Sequence, residues 1–404
     1  MALRRFLYLS PYFPPHTRVG ALRPLKFVRH LPAFGWAPVV ISDGQVDGHQ
    51  DPKLVELVPS STEVYRTWSH PTVPSLERWL RARWPSDDVL PLSHHRLDLR
   101  SGERAAKAAL RAHPECRAIV VNADPFAALL VGARLSKATG LPLIQDLRDP
   151  WSPCELRRPH RDRLRQAWIT RLERQALGPA SAIVLNTETA RDDYRRAFPE
   201  IPQDRFHVIR NHADDSITRQ GQQPRFDHFT ALFLGNFRRF VTGETLLAAM
   251  ARLGPEQALD LVVTGSFPDA MRAQLHRLGL DERVHALPSV PFVETGPWMA
   301  AADLLVSVSH RVQQRIPAKI YEYASSPTPI LALHDNPELS RMLDGLAGAE
   351  SAGLDDVEEV TTALRRALAR GRSQKFERRG HGLDSATAAG CLASLLDAVS
   401  EGAT

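Results

Sequence analysis

The chain repeats one hydrophobic pattern, in which a short apolar run is followed by a longer segment with apolar residues at helical spacing. Residues 6–9 form the first apolar run, and residues 19–34 then carry apolar side chains three and four positions apart. Gly35 stands where a helix commonly ends, and residues 39–41 form the next apolar run. This order predicts a βαβ unit and therefore a parallel sheet.

The same alternation continues along the chain, stops over a polar interval, and then begins again. Further strands are predicted at 118–121, 142–144, 182–185, 207–209, 230–234, 259–263, 284–287, 304–308 and 330–333. Such repetition predicts an α/β fold with two doubly wound domains in tandem. Ligands of these domains bind at the carboxyl ends of the strands, so we expect the site in a cleft between the domains.

Composition and periodicity suggest where the domains begin and end. We predict an N-terminal domain over residues 1–212, a polar linker over 213–228 and a C-terminal domain over 229–380. Residues 381–404 contain apolar positions at helical spacing and are predicted to form a terminal helix. Residues 44–115 follow no clear period, and we interpret them as a variable insertion with short helices.

The overall composition is that of a globular protein rather than a membrane-spanning or secreted one. The 404 residues suit two domains, and no apolar run reaches the about 18 residues of a transmembrane helix. Residues 1–10 begin like a signal peptide, but their apolar run is short and Pro11 ends it, which favours a buried strand. Cys116, Cys154 and Cys391 fit no metal or redox pattern, so we expect a cytoplasmic protein.

Charge is distributed unevenly between the two halves. Residues 1–212 hold 32 Lys and Arg against 22 Asp and Glu, whereas the remainder holds 19 against 24. A basic N-terminal half favours an acidic partner such as a membrane surface, a lipid phosphate or a nucleic acid, and a simply solvated basic surface is the alternative. The arginine-rich residues 155–165, with Trp168, Arg171 and Arg174 beyond them, could form a helix that lies on anionic lipid, and a solvated helix of mixed charge is the alternative.

One segment, Arg315-Ile-Pro-Ala-Lys-Ile-Tyr-Glu-Tyr-Ala324, carries the clearest chemistry. Pro317 suits the first turn of a helix, and Lys319 near that helix N-terminus can hold a diphosphate. Glu322, one turn later, offers two oxygens to a ribose diol; a surface Lys–Glu pair is the alternative. The segment resembles the P-x-K-x-x-E-Y motif of family 4 of the retaining glycosyltransferases, which have the GT-B fold.

The resemblance covers nearly the whole chain and implies both architecture and activity. It implies two Rossmann-like domains facing across a cleft, with the C-terminal helix returning to the first domain. It further implies a metal-independent, retaining hexosyltransferase similar to those that build bacterial surface polysaccharides and glycolipids. The donor would be a nucleotide-diphosphate sugar, with a UDP-sugar favoured and no cofactor. The acceptor would be a glycolipid, a polysaccharide precursor or a natural product, reached in the cytoplasm or by peripheral contact with the membrane.

The resemblance also implies a donor site in the C-terminal domain. Residues 233–243 resemble the loop that holds the donor phosphates, and two arginines there match its cations. Gln314 stands where many members have a Glu that touches the donor sugar, and His310 and Arg311 could share its role. The predicted donor-binding residues are Gly20, Gly235, Gly265, Arg238, Arg239, Gln314, Lys319 and Glu322. The predicted catalytic residues are Arg238, Lys319 and Asp149.

Acceptor binding is expected in the N-terminal domain. The loop after the first strand ends at Gly20, where the family usually has two glycines, and Arg23 could line the same site. Residues 144–151 resemble a D-x-R-D-x-W segment of the same subgroup, and Asp146 is interpreted either as part of the site or as a structural partner of Arg148. The predicted acceptor-binding residues are His16, Arg18, Asp124, Arg148 and Asp149.

Other kinds of function find little support in the sequence. There is no serine-hydrolase elbow, P-loop, zinc pattern, Asp-x-Asp motif or glycine-rich dinucleotide fingerprint, and no nucleic-acid-binding module. We therefore expect no metal site and no nucleic-acid partner. Two alternatives remain: a sugar-nucleotide epimerase of the same fold, and a catalytically silent glycosyltransferase-like partner subunit.

Overall fold

The structure is a computed structural model of the full chain. It describes residues 3–17, 19–44, 50–68, 99–123, 125–154, 163–238, 241–254, 256–309, 311–378 and 381–402. The chain divides into two compact units. The N-terminal unit comprises Met1–Asn211 with Ser385–Thr404, and the C-terminal unit comprises His212–Asp384.

Seven strands form the sheet of the N-terminal unit within its described residues. They are β1 (Arg4–Leu9), β2 (Trp36–Asp43), β3 (Glu63–Trp68), β4 (Cys116–Asn122), β5 (Leu143–Arg148), β6 (Ala182–Leu185) and β7 (Phe206–Val208). All pairs are parallel, and the order is β3-β2-β1-β4-β5-β6-β7. Because the order reverses direction after β1, the sheet is doubly wound.

The helices of this unit cover both faces of the sheet. They are α1 (Val19–His30), α2 (Lys53–Glu56), α3 (Leu99–Ala112), α4 (Ala127–Thr139), α5 (Arg163–Leu177) and α6 (Glu188–Ala197). A short 3-10 turn, Leu31–Phe34, continues α1 and ends at Gly35, whose φ of 80° is left-handed. The helix predicted over residues 19–34 is therefore an α-helix followed by a 3-10 turn.

The C-terminal unit repeats the architecture with six described strands. They are β8 (Phe229–Leu234), β9 (Leu259–Thr264), β10 (Val284–Leu287), β11 (Leu304–Val308), β12 (Ile330–Leu333) and β13 (Ala349–Ala352), in the order β10-β9-β8-β11-β12-β13. The helices are α7 (Glu244–Ala251), α8 (Asp269–Arg277), α9 (Thr295–Ala301), α10 (Ala318–Ser325), α11 (Pro337–Asp344) and α12 (Val357–Arg370). The predicted fold class, two Rossmann-like α/β domains, is confirmed.

The last helix, α13 (Ser385–Glu401), belongs to the N-terminal unit, as expected. Leu392 and Leu396 are buried against the sheet face that also carries Phe6, and each such burial contributes about 1.5–3 kcal/mol. The Trp36 indole N–H donates to Asp397 Oδ1 at 2.9 Å, which fixes where α13 lies along the sheet.

Two strands were missed by the sequence analysis, and both lie at sheet edges. β3 carries the exposed Arg66 and Thr67, and β13 is only partly buried. Neither has the continuous apolar run of an interior strand. The region interpreted as a variable insertion thus contains β3 and α3, while residues 69–98 lie outside the described part.

The residues predicted as a linker take part in the structure of the C-terminal unit. Ile217 and Thr218 are buried, and the Gly296 N–H donates to the Thr218 carbonyl at 2.8 Å. Within the described residues, no helix combines the length and the apolar character needed to cross a bilayer.

Candidate functional site

Two glycines shape the carboxyl end of the C-terminal sheet. Gly235 follows β8 with φ 128°, and Gly265 follows β9 with φ 144°. A Cβ on Gly265 would lie 2.5 Å from the Gly235 carbonyl oxygen, closer than real side chains allow. The Gly235 N–H donates to the Thr264 carbonyl at 3.0 Å. The two loops therefore run backbone against backbone, and only glycine fits at Gly265.

Lys319, in the first turn of α10, reaches this pair of loops. Its Nζ lies 3.5 Å from the centroid of the Phe233 ring, a cation–π contact. A Cβ placed on Gly235 would lie 3.2 Å from the same Nζ. The ammonium therefore lies at the carboxyl end of β8, where ligands of doubly wound sheets bind.

The surroundings of this ammonium are apolar and positive. Burial of the amine, and then the charge of Arg238, lower the pKa of Lys319 to about 7. Within the described residues, no carboxylate offsets these two effects on Lys319. A cation in this setting is stabilised by a bound anion, because the anion replaces lost hydration and offsets the repulsion from Arg238.

The helix that carries Lys319 is fixed to the same strand. The Leu234 N–H donates to the Tyr323 hydroxyl at 3.0 Å, and Tyr323 is fully buried. Glu322, the predicted ribose contact, lies half-buried one turn after Lys319. Pro317 is the residue just before the helix rather than part of its first turn, and its carbonyl accepts from the Ile320 N–H at 3.0 Å. Tyr323 was missed because a buried tyrosine in a helix resembles an ordinary core residue.

The loop that precedes α10 is held by Asn336. Its Nδ2 donates to the Gln313 carbonyl at 2.8 Å, while its Oδ1 caps α11. Gln314, predicted to touch the donor sugar, is 3% exposed. Arg311, suggested as a substitute, forms an ion pair with Asp355 through both guanidinium nitrogens at 2.6 Å.

Arg238 is exposed, and its backbone pairs with Val241 in a small β-bridge. Its neighbour Arg239 lies outside the described residues, as do Arg18, Asp124 and His310. In the part of the chain that the structure describes, no three His, Cys, Asp or Glu side chains are arranged to hold a metal ion.

In the N-terminal unit the structure corrects the role of Asp146. β5 continues to Arg148, beyond the predicted end at residue 144, so Asp146 lies inside the sheet. Its carboxylate pairs with Arg23, with Nε–Oδ2 at 2.8 Å and Nη2–Oδ1 at 3.1 Å, and both side chains are almost fully buried. The interpretation of Asp146 as a partner of Arg148 was wrong. Arg23 also donates to the Ile209 carbonyl, so this pair ties β5, α1 and the chain after β7 together.

Arg148 and Asp149 form their own pair at the carboxyl end of β5. Arg148 Nη2 lies 3.0 Å from Asp149 Oδ2, and both side chains are partly exposed. Arg148 has φ 50°, a conformation that non-glycine residues adopt rarely and often at functional sites. Arg148 and Asp149, both predicted to bind the acceptor, are thus paired with each other. The left-handed backbone of Arg148 sets the direction of the chain at this point.

The other predicted residues of this unit lie around the first helix. Gly20 lies within the first turn of α1, and its carbonyl accepts from Asn122 Nδ2 at 3.0 Å. This bond joins the start of α1 to the end of β4. His16 is 1% exposed, and its ring packs edge-on against Tyr12 with centroids 5.1 Å apart.

The outer face of α5 exposes unusual apolar area. Leu164 is 87% exposed and Trp168 is 42% exposed, and the two lie one turn apart. Arg163 and Arg171 are also exposed on this helix. The preceding residues 155–162 lie outside the described part.

Comparison with known proteins agrees with the architecture. The sequence model of Glycosyltransferase Family 4 matches residues 25–216. No curated protein matches the sequence. Among solved structures, Anabaena Alr3699/HepE in complex with UDP is similar at TM-score 0.61 and 16% identity, covering 98% of both chains.

Two further structures cover nearly all of both chains. Sucrose-phosphate synthase (tll1590) from Thermosynechococcus elongatus has TM-score 0.63 and 14% identity, covering 99% of this chain and 97% of its own. A UDP-N-acetylglucosamine 2-epimerase has TM-score 0.55 and 13% identity, covering 95% of this chain and 94% of its own. At these identities the structures establish the fold. The match over residues 25–216 supports the resemblance read from the sequence: this segment is similar to Glycosyltransferase Family 4, within a chain that has the GT-B fold.

Proposed function

We propose that this protein is a retaining, metal-independent hexosyltransferase that moves a sugar from a nucleotide-diphosphate donor to an acceptor hydroxyl. The C-terminal unit binds the donor, and the N-terminal unit binds the acceptor. The observation that carries the proposal is the Lys319 ammonium, which lies against the Gly235 loop with a pKa lowered to about 7. An anionic group at the carboxyl end of β8 would stabilise it, and a diphosphate supplies that charge.

UDP-glucose is the first donor to test. HepE structures contain UDP, UDP and glucose, or UDP-glucose. In the proposed complex, Lys319 and Arg238 contact the diphosphate, Glu322 accepts hydrogen bonds from the ribose, and Gln314 hydrogen-bonds the sugar. Gly235 and Gly265 let the backbone approach the phosphates closely.

The reaction breaks the bond between the anomeric carbon and the diphosphate oxygen. Negative charge then develops on the leaving diphosphate, and Lys319 and Arg238 stabilise it without a metal ion. The leaving phosphate takes the proton of the acceptor hydroxyl, which attacks from the same face, so the configuration of the sugar is retained. Asp149, paired with Arg148, orients the acceptor.

The acceptor is proposed to be presented at a membrane. Leu164 and Trp168 on α5 offer apolar contact, and Arg163 and Arg171 favour anionic headgroups. A glycolipid or a lipid-linked polysaccharide precursor fits this surface better than a small soluble acceptor. The protein would then act in the cytoplasm, at the inner face of the membrane.

Isothermal titration with UDP tests the donor site. Lys319→Met removes the charge at similar side-chain length, and we expect UDP affinity to fall about 10- to 100-fold. Lys375→Met is the matched control in the same unit. Lys375 Nζ contacts the Ala302 carbonyl, before β11, so it lies at the opposite end of the strands. Equal affinity in wild type and Lys319→Met would refute the donor site.

One alternative has a specific observation behind it. The structural likeness to a UDP-N-acetylglucosamine 2-epimerase shows that this fold also serves sugar-nucleotide epimerisation. An epimerase converts UDP-N-acetylglucosamine to its 2-epimer with no acceptor present, which proton NMR detects directly. Conversion without an acceptor would favour the epimerase. UDP release that requires an added acceptor would favour the transferase, and neither reaction despite UDP binding would indicate a silent subunit.

A further inference from the structure

A carboxylate is buried on α5, close to the loop that follows β5. Glu173 has no exposed surface. Its Oε2 accepts from the Ser152 N–H at 2.9 Å, and its Oε1 accepts from the Tyr194 hydroxyl at 2.5 Å. Because a buried carboxylate is costly to desolvate, its two acceptor atoms need donors such as these.

Tyr194, on α6, links Glu173 to a second backbone group of the same loop. Its hydroxyl accepts from the Trp151 N–H at 2.8 Å while it donates to Glu173. Burial, followed by the charge of Glu173, raises the pKa of Tyr194 well above its ordinary value, so the hydroxyl stays protonated. The backbone N–H groups of Trp151 and Ser152 therefore both donate to one hydrogen-bonded pair, Tyr194 and Glu173.

The same short segment is held from two other directions. Gln166 Nε2, also on α5, donates to the Ser152 carbonyl at 2.8 Å. The Trp151 ring stacks on Phe126, with centroids 5.0 Å apart and planes 1° from parallel. Trp151 and Ser152 are thus bound through backbone N–H, backbone carbonyl and side chain.

The first of these held residues, Trp151, lies three residues after a strained backbone position. Arg148 has φ 50° and pairs with Asp149 at 3.0 Å. A left-handed residue outside glycine persists when its surroundings constrain it. The constraint on the amino side is β5, and the constraint on the carboxyl side is the segment held by Glu173 and Tyr194.

We propose that Glu173 and Tyr194 are positioning residues that hold Trp151 and Ser152 and thereby fix the Arg148–Asp149 pair. What that pair contacts rests on the proposed function, in which it orients the acceptor. The hydrogen bonds that Glu173 and Tyr194 form with Trp151 and Ser152 lie entirely within the N-terminal unit and do not depend on that function. An apolar pair of the same volume would also pack, but it would leave the two backbone N–H groups unpaired.

The variant Tyr194→Phe tests this by removing one hydroxyl. Tyr8→Phe is its matched control, because Tyr8 is equally buried and its hydroxyl has no hydrogen-bond partner among the described residues. Protein labelled with 5-fluorotryptophan gives one 19F resonance per tryptophan, and Trp151→Phe assigns that of Trp151. We expect Tyr194→Phe to shift or broaden the Trp151 resonance, and Tyr8→Phe to leave it in place.

Amide exchange over residues 147–154 gives the second readout. Exchange in Tyr194→Phe should be at least about tenfold faster than in wild type, with no change in Tyr8→Phe. Glu173→Gln should also make exchange over these residues faster. It replaces Tyr194→Phe as the test variant if Tyr194→Phe does not fold. An unmoved Trp151 resonance with unchanged exchange would overturn the proposal, as would equal changes in Tyr8→Phe.

UDP affinity separates this proposal from the proposed function. Titration with UDP should give the same dissociation constant in wild type, Tyr194→Phe and Tyr8→Phe, because the donor site lies in the other unit. A wild type that does not bind UDP would refute the donor site and leave the resonance and exchange results standing. A normal UDP affinity with an unmoved resonance would refute the positioning role alone.

Discussion

The Nζ of Lys319 lies 3.5 Å from the centroid of the Phe233 ring, so an aromatic face is the partner of this ammonium in the unliganded protein. An aromatic face is a weaker partner for an ammonium than a phosphate. In the proposed donor site, Lys319 therefore lies beside the Gly235 loop with a pKa of about 7, which a bound anion would raise.

The affinity for UDP should fall as the pH rises above about 7. Lys319 is half-protonated near that pH in the unliganded protein, and a bound diphosphate raises its pKa. Binding above pH 7 therefore takes up a proton, and the association constant decreases by up to about tenfold per pH unit. Titration calorimetry from pH 7 to pH 9 measures this slope. The same slope in Lys319→Met would show that another group is responsible.

Replacing Lys319 should also stabilise the unliganded protein. Its folded pKa, about 7, lies below the ordinary lysine value, so between these values the unfolded chain binds more protons than the folded one. Stability consequently rises with pH over that range, and the cost of the charge is greatest at pH 7 and below. We expect Lys319→Met to raise Tm by a few degrees at pH 6.5 and by much less at pH 10. A lower Tm at pH 6.5 would contradict this.

Gly265→Ala should be strongly destabilising. A Cβ there would lie 2.5 Å from the Gly235 carbonyl oxygen, and φ is 144°. We expect a loss of roughly 2–4 kcal/mol in the free energy of unfolding, measured by urea denaturation. Gly279→Ala is the control, because its φ of 65° is also positive but nothing lies within 4 Å of the added Cβ. Equal losses at the two sites would show that backbone strain, not the close approach of the loops, decides the cost.

Breaking the Arg23–Asp146 pair should cost about 3–5 kcal/mol, because one charge would remain buried without its partner. Arg23→Met alone should show this loss in urea denaturation, and Arg23→Met with Asp146→Leu should recover much of it. Arg311→Met is the control, since the Arg311–Asp355 pair is exposed and should contribute less than about 1 kcal/mol. No recovery in the double variant would mean that the hydrogen bonds from Arg23 to the backbone dominate.

Vesicle sedimentation should show binding through α5. We expect the protein to bind vesicles containing phosphatidylglycerol and not vesicles of phosphatidylcholine alone. Leu164→Ser with Trp168→Ser should weaken binding at least about tenfold. Val55→Ser is the control, because Val55 is 43% exposed on a different helix. Undiminished binding in the double variant would remove α5 from the membrane contact.

Sequence patterns predicted the interior strands of both sheets and missed one edge strand in each, β3 and β13. Interior strands such as β4 and β11 are buried on both faces and read as apolar runs. β13, Ala-Glu-Ser-Ala, lies at an edge and has no apolar run, because part of its surface meets solvent. The pattern records runs of apolar residues, so an edge strand that lacks such a run is not predicted.

The candidate site was predicted where residue type and local spacing decide the chemistry. Lys319 and Glu322 are one helical turn apart, so their shared face follows from sequence alone. The pairing of Asp146 with Arg23 spans 123 residues, and the contact of Tyr323 with Leu234 spans 89. Such partners depend on how strands and helices pack in three dimensions, and no local spacing encodes them.

The return of α13 to the N-terminal unit determines the order in which the protein can be completed. During synthesis the ribosome makes the whole C-terminal unit before it makes Ser385–Glu401. Until then, the sheet face that carries Phe6 and Trp36 lacks the leucines that cover it. The C-terminal unit can therefore fold while the N-terminal unit still exposes the apolar surface that α13 later covers, and such surface favours aggregation.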